Sequence, residues 1–317
     1  MRRPLRTLQN LLEALPFFFL VAIAQLLPRR AALRFGRVLG RLGRLLQPAR
    51  RHTARDNLRQ AFPQQSADWI EYQLSSMFEH LGISAMELLR LASARGRTAL
   101  QSQLHFSGLE QLQQLREHKQ GAFLLTAHLG FWEVGPLFLP PQGLQVSFVA
   151  KAIRNPYIDR FFWRLRTSGG GQGIDSRHAA RRIVRALGQG QLVGLLLDQH
   201  VSKKTGVVVN FFGRPAYTTP IITQIALKTG TPVVTAFAYR QPDFSYRVLI
   251  QPPLYLEGDC SDTNIQQQTQ RLTAIMEEAI RQQPQQWFWL HRRWRWRPEQ
   301  GNPPPATPES TDSRSDP

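Results

Sequence analysis

The chain is almost without cysteine: Cys260 stands alone in 317 residues. An intrachain disulfide is therefore impossible, and neither a zinc ribbon nor a redox C-x-x-C can be built. A single thiol fits a reducing compartment, and Cys260 reads as a loop thiol without a role. Acidic side chains are scarce as well, with 22 Asp and Glu against 40 Lys and Arg, for a formal charge of +18. Lysine contributes little of this, since it occurs only at positions 119, 151, 203, 204 and 228. Such an arginine-dominated surface seeks polyanions, whether nucleic acid, anionic lipid or a phosphorylated or acidic partner. Arginine keeps its charge beside apolar surroundings and grips phosphate with a planar fork, so charge narrows the partner without selecting it. No internal repeat is present. The run Gly169-Gly170-Gly171-Gln172-Gly173 lacks the Walker spacing and its lysine, which argues against a nucleotide loop and for a flexible or anion-nesting turn.

Long apolar runs are also rare, which makes Leu11 to Leu27 conspicuous. It is interrupted only by Glu13, Pro16 and Gln25, with Arg2, Arg3 and Arg6 before it and Arg29 and Arg30 after it. A spanning helix needs about 20 apolar residues, so this segment is marginal for crossing a bilayer and suited to lying in one face. A cleavable signal ending near Ala22-Ile23-Ala24 is the rival reading, opposed by the apolar and then basic residues that follow. From Ala31 to Arg59 arginines alternate with apolar residues at helical spacing, which predicts an amphipathic helix whose cationic face rests on anionic headgroups or simply faces water. Phe62-Pro63 stops this region, and Ser66 is placed to cap a helix from Ala67 to about Ala94. Residues 1–30 thus form a membrane anchor and 31–297 the body of the protein. Residues 298–317, mostly Pro, Ser, Thr, Glu and Asp, read as a disordered tail.

Beyond residue 120 the period changes. Phe123–Ala127, Val146–Ala150, Leu192–Leu197, Val207–Asn210, Val233–Phe237 and Arg247–Gln251 are short apolar runs. Helical patterns lie between most of them, at Phe131–Leu139, Pro156–Arg166, Arg177–Leu187 and Thr219–Lys228. This predicts an α/β fold, a mixed, mostly parallel sheet covered by helices, with the last two strands antiparallel. Sites in such folds lie beyond the carboxyl ends of strands. His128 follows the first of these runs there, and Asp198 follows Leu195-Leu196-Leu197 in the same way. Glu133 comes five positions after His128, and on a helix begun at Phe131 its carboxylate could hold the imidazole ring while the other nitrogen faces a cleft. Spacing and context leave two readings open: a general base with its orienting acid, or a satisfied core histidine. The segment Trp287 to Arg297 alternates Trp and Arg and describes either a base-stacking surface or a membrane interface.

Thr126-Ala127-His128-Leu129-Gly130-Phe131-Trp132-Glu133 resembles the histidine-acid box of the bacterial lipid A biosynthesis (lauroyl/myristoyl) acyltransferase family. Further blocks resemble that family in order. These are Asn57 to Pro63, Arg154-Asn155-Pro156-Tyr157-Ile158-Asp159, Arg164-Leu165-Arg166, Leu197-Asp198-Gln199, Gly206 to Ala216 and Trp289 to Trp294. The family often has Asn after the glycine of the box, where this chain has Phe131. The resemblance implies an enzyme anchored at the cytoplasmic face of the inner membrane. It would move a fatty acyl chain from acyl carrier protein to a hydroxyl of a phosphorylated lipid A precursor. His128 would be the general base and Glu133 its orienting acid. Arg166 would hold substrate or the developing oxyanion, Asp198 would be structural or acceptor-positioning, and Lys151 and Arg154 would bind substrate. Neither metal nor cofactor is implied. Acidic acyl carrier protein, the acceptor's phosphates and an anionic membrane would together occupy the cationic surface, with no nucleic acid expected. Two alternatives remain beside this reading: the same chemistry on a lysophospholipid or other glycolipid, and a basic nucleic-acid or membrane-binding module without chemistry.

Overall fold

The computed structural model describes residues 2–177 and 179–295. The chain begins with α1 (Arg2–Leu26), α2 (Arg29–Leu46), α3 (Pro48–Ala61), α4 (Ala67–Arg90) and α5 (Ala94–Gln101). Pro28, which locks its own φ and disfavours helix before it, separates α1 from α2. In α1 the stretch Thr7–Leu26 is long and apolar enough to cross a membrane, and only 11% of its most apolar window is buried. Its exposed side carries Leu11, Leu12, Leu15, Phe18 and Phe19. The other side is seated on protein, with Ala14 and Ala24 fully buried. As expected from sequence, α3 stops before Phe62-Pro63, and the Ser66 hydroxyl accepts the Trp69 N–H at 3.2 Å to cap α4.

The arginines of α2 behave differently from a face laid on lipid headgroups. Arg37 and Arg41 pair with Glu79 of α4, and Arg44 pairs with Glu71, which Arg55 of α3 also meets. Gly36, Gly40 and Gly82 bring α2 and α4 into backbone contact, since a Cβ at Gly36 would lie 2.5 Å from the Gly82 carbonyl oxygen. With much of its charge turned toward α4, α2 exposes Val38, Leu42, Leu45 and Leu46 beside Arg34.

The strands are β1 (Leu104–Ser107), β2 (Ala122–Thr126), β3 (Val146–Ala150), β4 (Gln172–Asp175), β5 (Leu192–Leu196), β6 (Val207–Phe211), β7 (Arg214–Thr218), β8 (Val233–Arg240) and β9 (Tyr246–Ile250). Seven of them form one sheet in the order β1-β9-β8-β2-β5-β3-β4. Neighbours run parallel except β8 and β9, which pair antiparallel as their short connection requires. The run Val207–Asn210 is strand but does not join this sheet. As β6 it pairs with β7 in a separate hairpin, whose two-residue turn at Phe212 and Gly213 has φ of 54° and 72° at the two positions. The helices between strands are α6 (Leu109–Glu117), α7 (Val134–Phe138), α8 (Pro156–Thr167), α9 (Ala179–Gly188) and α10 (Ile221–Thr229), and α11 (Asp262–Gln282) follows β9.

Alternation along the strands sends side chains to two cores. Phe123, Leu125, Val193 and Val233 pack with α3, α4, α10, α11 and the Trp287-Trp289 cluster. Leu124, Val146, Leu192, Val234 and Val248 face the opposite way, under α6 and α7. The glycine run leading into β4 is closely packed rather than loose. A Cβ at Gly169 would lie 2.4 Å from the Leu137 carbonyl oxygen and one at Gly173 would lie 2.3 Å from the Trp163 ring, so glycine there permits close packing. The Trp/Arg segment is likewise interior: Trp287, Trp289 and Arg293 are at most 1% exposed, which removes them as a base-stacking platform. Trp296, Arg297 and the tail 298–317 lie outside the described residues.

Candidate active site

Adjacent parallel strands deliver their carboxyl ends to the same edge of a sheet. Thr126 of β2 stands in register with Leu196 of β5, so His128 and Asp198, each two residues further, emerge side by side. Asp198 Oδ1 accepts the His128 Nδ1–H at 2.9 Å. Its Oδ2 accepts two more bonds, from the His128 backbone N–H at 2.8 Å and the Trp287 indole N–H at 2.7 Å. The Asp198 side chain is 1% exposed and that of His128 24%, so the carboxylate lies in the interior and the ring reaches the surface of a cavity.

The ring-holding contact assigned from sequence to Glu133 is therefore made by Asp198. The reason is local: Phe131, Trp132 and Glu133 are not helical. Gly130 adopts φ of 61°, and the Phe131 N–H donates to the Ala238 carbonyl at 2.8 Å, which draws the chain onto β8 before α7 starts at Val134. Without the helical turn, Glu133 points instead at Arg166 near the end of α8. Arg166 Nη2 donates to Oε1 at 2.6 Å and Nε to Oε2 at 2.9 Å, a bidentate pair whose carboxylate side chain is 5% exposed.

Electrostatics follow from these partners. Burial opposes charge on His128, but the attraction and hydrogen bond of Asp198, with Glu133 adding from further away, outweigh burial and the opposing Arg166 and raise its pKa above the ordinary histidine value. Burial likewise pushes Asp198 up, and the His128 charge, its two hydrogen bonds and the Trp287 N–H overcome that and hold the carboxyl below its usual range. The proton placed on Nδ1 by Asp198 leaves Nε2 with its lone pair, and the Gln199 amide nitrogen lies 3.2 Å from it.

The ring is steadied by Trp132, edge-on at 5.2 Å, and by Phe288 at 6.3 Å. Phe288 donates its backbone N–H to the His128 carbonyl at 3.0 Å, and Gly130 donates to the Gln286 carbonyl at 2.9 Å. The carboxyl-terminal segment thus straps the histidine turn from beneath, which gives the Trp287–Trp294 stretch its place in the site. Gln199, Trp132 and Trp287 were not singled out from sequence as site residues. Trp132 and Gln199 stand in the quoted blocks beside His128 and Asp198, whereas Trp287 only opens the Trp/Arg segment and nothing local ties it to the site.

From His128 a cavity of about 450 Å³ runs between the sheet and α7. Its walls are apolar, from Leu124, Val146, Phe148, Leu196, Ala236, Val248 and Ile250, and its polar lining includes His128, Glu133, Lys151, Arg166 and Gln199. Size and character are those of a ligand pocket. A smaller recess of about 170 Å³ adjoins it, lined by Lys151, Asp159, Arg166, Asp175 and Arg177. Lys151 and Arg166 border both. Arg154 is exposed and lines neither, so the structure does not bring it to the site. Among the described residues no group of three or more His, Cys, Asp or Glu side chains is arranged to hold a metal ion.

The arrangement can deprotonate a nucleophile once one displaces the Gln199 amide: an imidazole with its tautomer fixed by a buried carboxylate and its other nitrogen unprotonated at the mouth of an apolar cavity. Helix α8 is set by Asn155, whose side-chain oxygen accepts the Tyr157 N–H at 3.1 Å and whose amide donates to the Asn10 carbonyl of α1 at 2.7 Å. Phe17 of α1 meets Phe161 and Phe162 at 5.1 and 5.6 Å, so the apolar amino-terminal helix is built against the helix that carries Arg166.

The model of the bacterial lipid A biosynthesis acyltransferase family matches residues 2–296. The chain is similar to the lipid A biosynthesis palmitoleoyltransferase of Escherichia coli (strain K12), 27% identical over 268 residues that cover 83% of this chain and 84% of that protein. It is similar also to the lauroyltransferase of the same organism, 26% identical over 279 residues covering 86% and 88%. To the myristoyltransferase of that organism it is 24% identical over 260 residues, covering 81% and 77%. The chain is an acyltransferase and belongs to the bacterial lipid A biosynthesis acyltransferase family.

Proposed function

We propose that the enzyme transfers a fatty acyl group from the thioester of acyl carrier protein to a hydroxyl of a lipid A precursor. The observation that carries this reading is the His128–Asp198 pair, with Nε2 carrying its lone pair at the mouth of an apolar cavity, where the Gln199 amide meets it. The acceptor hydroxyl gives its proton to Nε2 as its oxygen attacks the thioester carbonyl. Collapse of the tetrahedral intermediate forms the ester, breaks the carbon–sulfur bond and expels the thiolate, which recovers the proton from the imidazolium. Asp198 holds the ring and balances its transient charge. Glu133 keeps Arg166 extended along the cavity mouth and adds to the negative field at His128. Arg166 and the Gln199 amide are the donors best placed to meet the developing oxyanion.

The adjoining recess suits an acceptor phosphate at Lys151 and Arg177, and the chain's +18 charge suits an acidic carrier protein. The exposed apolar side of α1 supports a position on the inner membrane, and a carrier-protein donor calls for its cytoplasmic face. A direct test is transfer from acyl carrier protein to a lipid A precursor by the purified protein and by His128→Ala. The variant should lose at least about a thousand-fold in rate, and a variant that keeps the wild-type rate would overturn the mechanism. Mass spectrometry of lipid A from cells with and without the gene identifies the acceptor. A change confined to phospholipids would favour the lysophospholipid reading.

A further inference from the structure

Glycine within a central strand weakens it and usually marks a bulge or the close approach of another backbone or a ligand. Gly194 occupies the middle of β5, in register with Leu124 of β2 on one side and Phe148 of β3 on the other. Most tightly packed glycines here are explained by protein contact: a Cβ at Gly121 would lie 2.1 Å from the Leu187 carbonyl oxygen, and one at Gly82 would lie 2.0 Å from that of Gly36. Gly194 has no such reason. Its φ lies outside the left-handed region, and an added Cβ meets only the Ser147 carbonyl oxygen, at an ordinary 3.7 Å. The space a side chain would fill is the cavity, on the same sheet face as Leu124, Thr126 and Leu196.

Depth follows from register. Gly194 is level with Leu124, four residues before His128, and at 3.3 Å per residue this is roughly 13 Å below the histidine. Carbon–carbon bonds of about 1.5 Å, shortened by the zigzag of an extended chain, place about ten carbons in that distance. We propose that the absent side chain at Gly194 keeps the deep half of the cavity open to the distal carbons of the acyl group, and that bulk at this position sets the longest chain the enzyme accepts. Phe148 and Leu124 flank the gap, so one added side chain would span it. The inference rests on the acyl-transfer reading of the cavity.

The test uses the full-length protein and a series of saturated acyl carrier protein donors of increasing length. The readout is the ratio of kcat/KM for a long donor to that for a short one. Gly194→Leu should lower that ratio by roughly 10- to 200-fold for each methylene left without space, and move the preferred length down. Gly194→Ala, whose Cβ fits without displacement, should move it in the same direction by a smaller step, and serves if the larger side chain prevents folding. A uniform loss at every length, or an unchanged profile in the folded Ala and Leu variants, overturns the proposal. Wild-type protein inactive with every acyl donor would instead remove the acyl-transfer reading on which it rests.

Discussion

Replacing Asp198 with asparagine changes one atom in size and charge, and the hydrogen bonds around it dictate the outcome. Oδ2 receives two donors, the His128 backbone N–H and the Trp287 indole, whereas Oδ1 receives only His128 Nδ1. The amide oxygen must therefore take the Oδ2 position, and the NH2 group then faces Nδ1. Nδ1 can no longer be a donor, so the ring moves its proton to Nε2 and has no lone pair left for the acceptor hydroxyl. In carboxylate-imidazole systems this tautomer change costs about 10⁴ in kcat, on the order of 5 kcal/mol of barrier. The pH profile should move as well. In the wild type the raised His128 pKa puts the acidic limb of activity above the ordinary histidine value near 6.5. Without the Asp198 charge, burial prevails and the residual activity should show a limb at lower pH.

Stability changes with the opposite sign to activity. Because the folded His128 value is raised, its pairing stabilises fully below the unfolded value of about 6.5 and is lost as pH rises through the folded value. The lowered Asp198 value contributes stability above about 3.9, lost as pH falls through its folded value. Initial rates between about pH 5 and 9, with thermal melts at each pH, separate the two effects. Asp198→Asn enzyme that keeps within tenfold of the wild-type rate, with its acidic limb unmoved, would refute the assignment of Asp198 as the positioning acid.

Arg166→Ala leaves the Glu133 carboxylate buried without its bidentate partner and should cost about 3 kcal/mol of stability along with activity, measured by denaturant unfolding. Arg166→Lys, which keeps charge but not the fork, should recover part of the stability and little of the rate. Trp287→Phe retains the packing but removes the N–H on Asp198, and should cost about 1 to 3 kcal/mol in unfolding. Deletion of residues 1–26, which spares the buried Arg29–Glu87 pair, should move the protein out of the membrane fraction. Because α1 also seats α8, it should lower transfer to a soluble acceptor analogue too, and full activity of the truncated chain would show that the two helices act independently.

Much of this site can be read along the chain. His128 and Asp198 each follow an apolar run that could only be a buried strand, and a polar residue at such an end belongs to the ligand edge of an α/β sheet. The cap at Ser66 and the stop at Phe62-Pro63 are equally local, since they rest on the conformation of a few consecutive residues. The edge strands Leu104–Ser107 and Gln172–Asp175 were missed because four half-exposed residues carry no apolar run. What sequence alone could not supply was which residues meet. Glu133 is near His128 along the chain, yet the turn at Gly130 sends it to Arg166, 33 residues away. Asp198 is 70 residues from His128, and only the placing of β5 beside β2 brings their side chains to 2.9 Å. The alternation of apolar residues is encoded by short-range sterics, whereas strand order depends on how whole helices pack across the sheet. The same packing puts an unremarked Gly194 in the lining of a cavity.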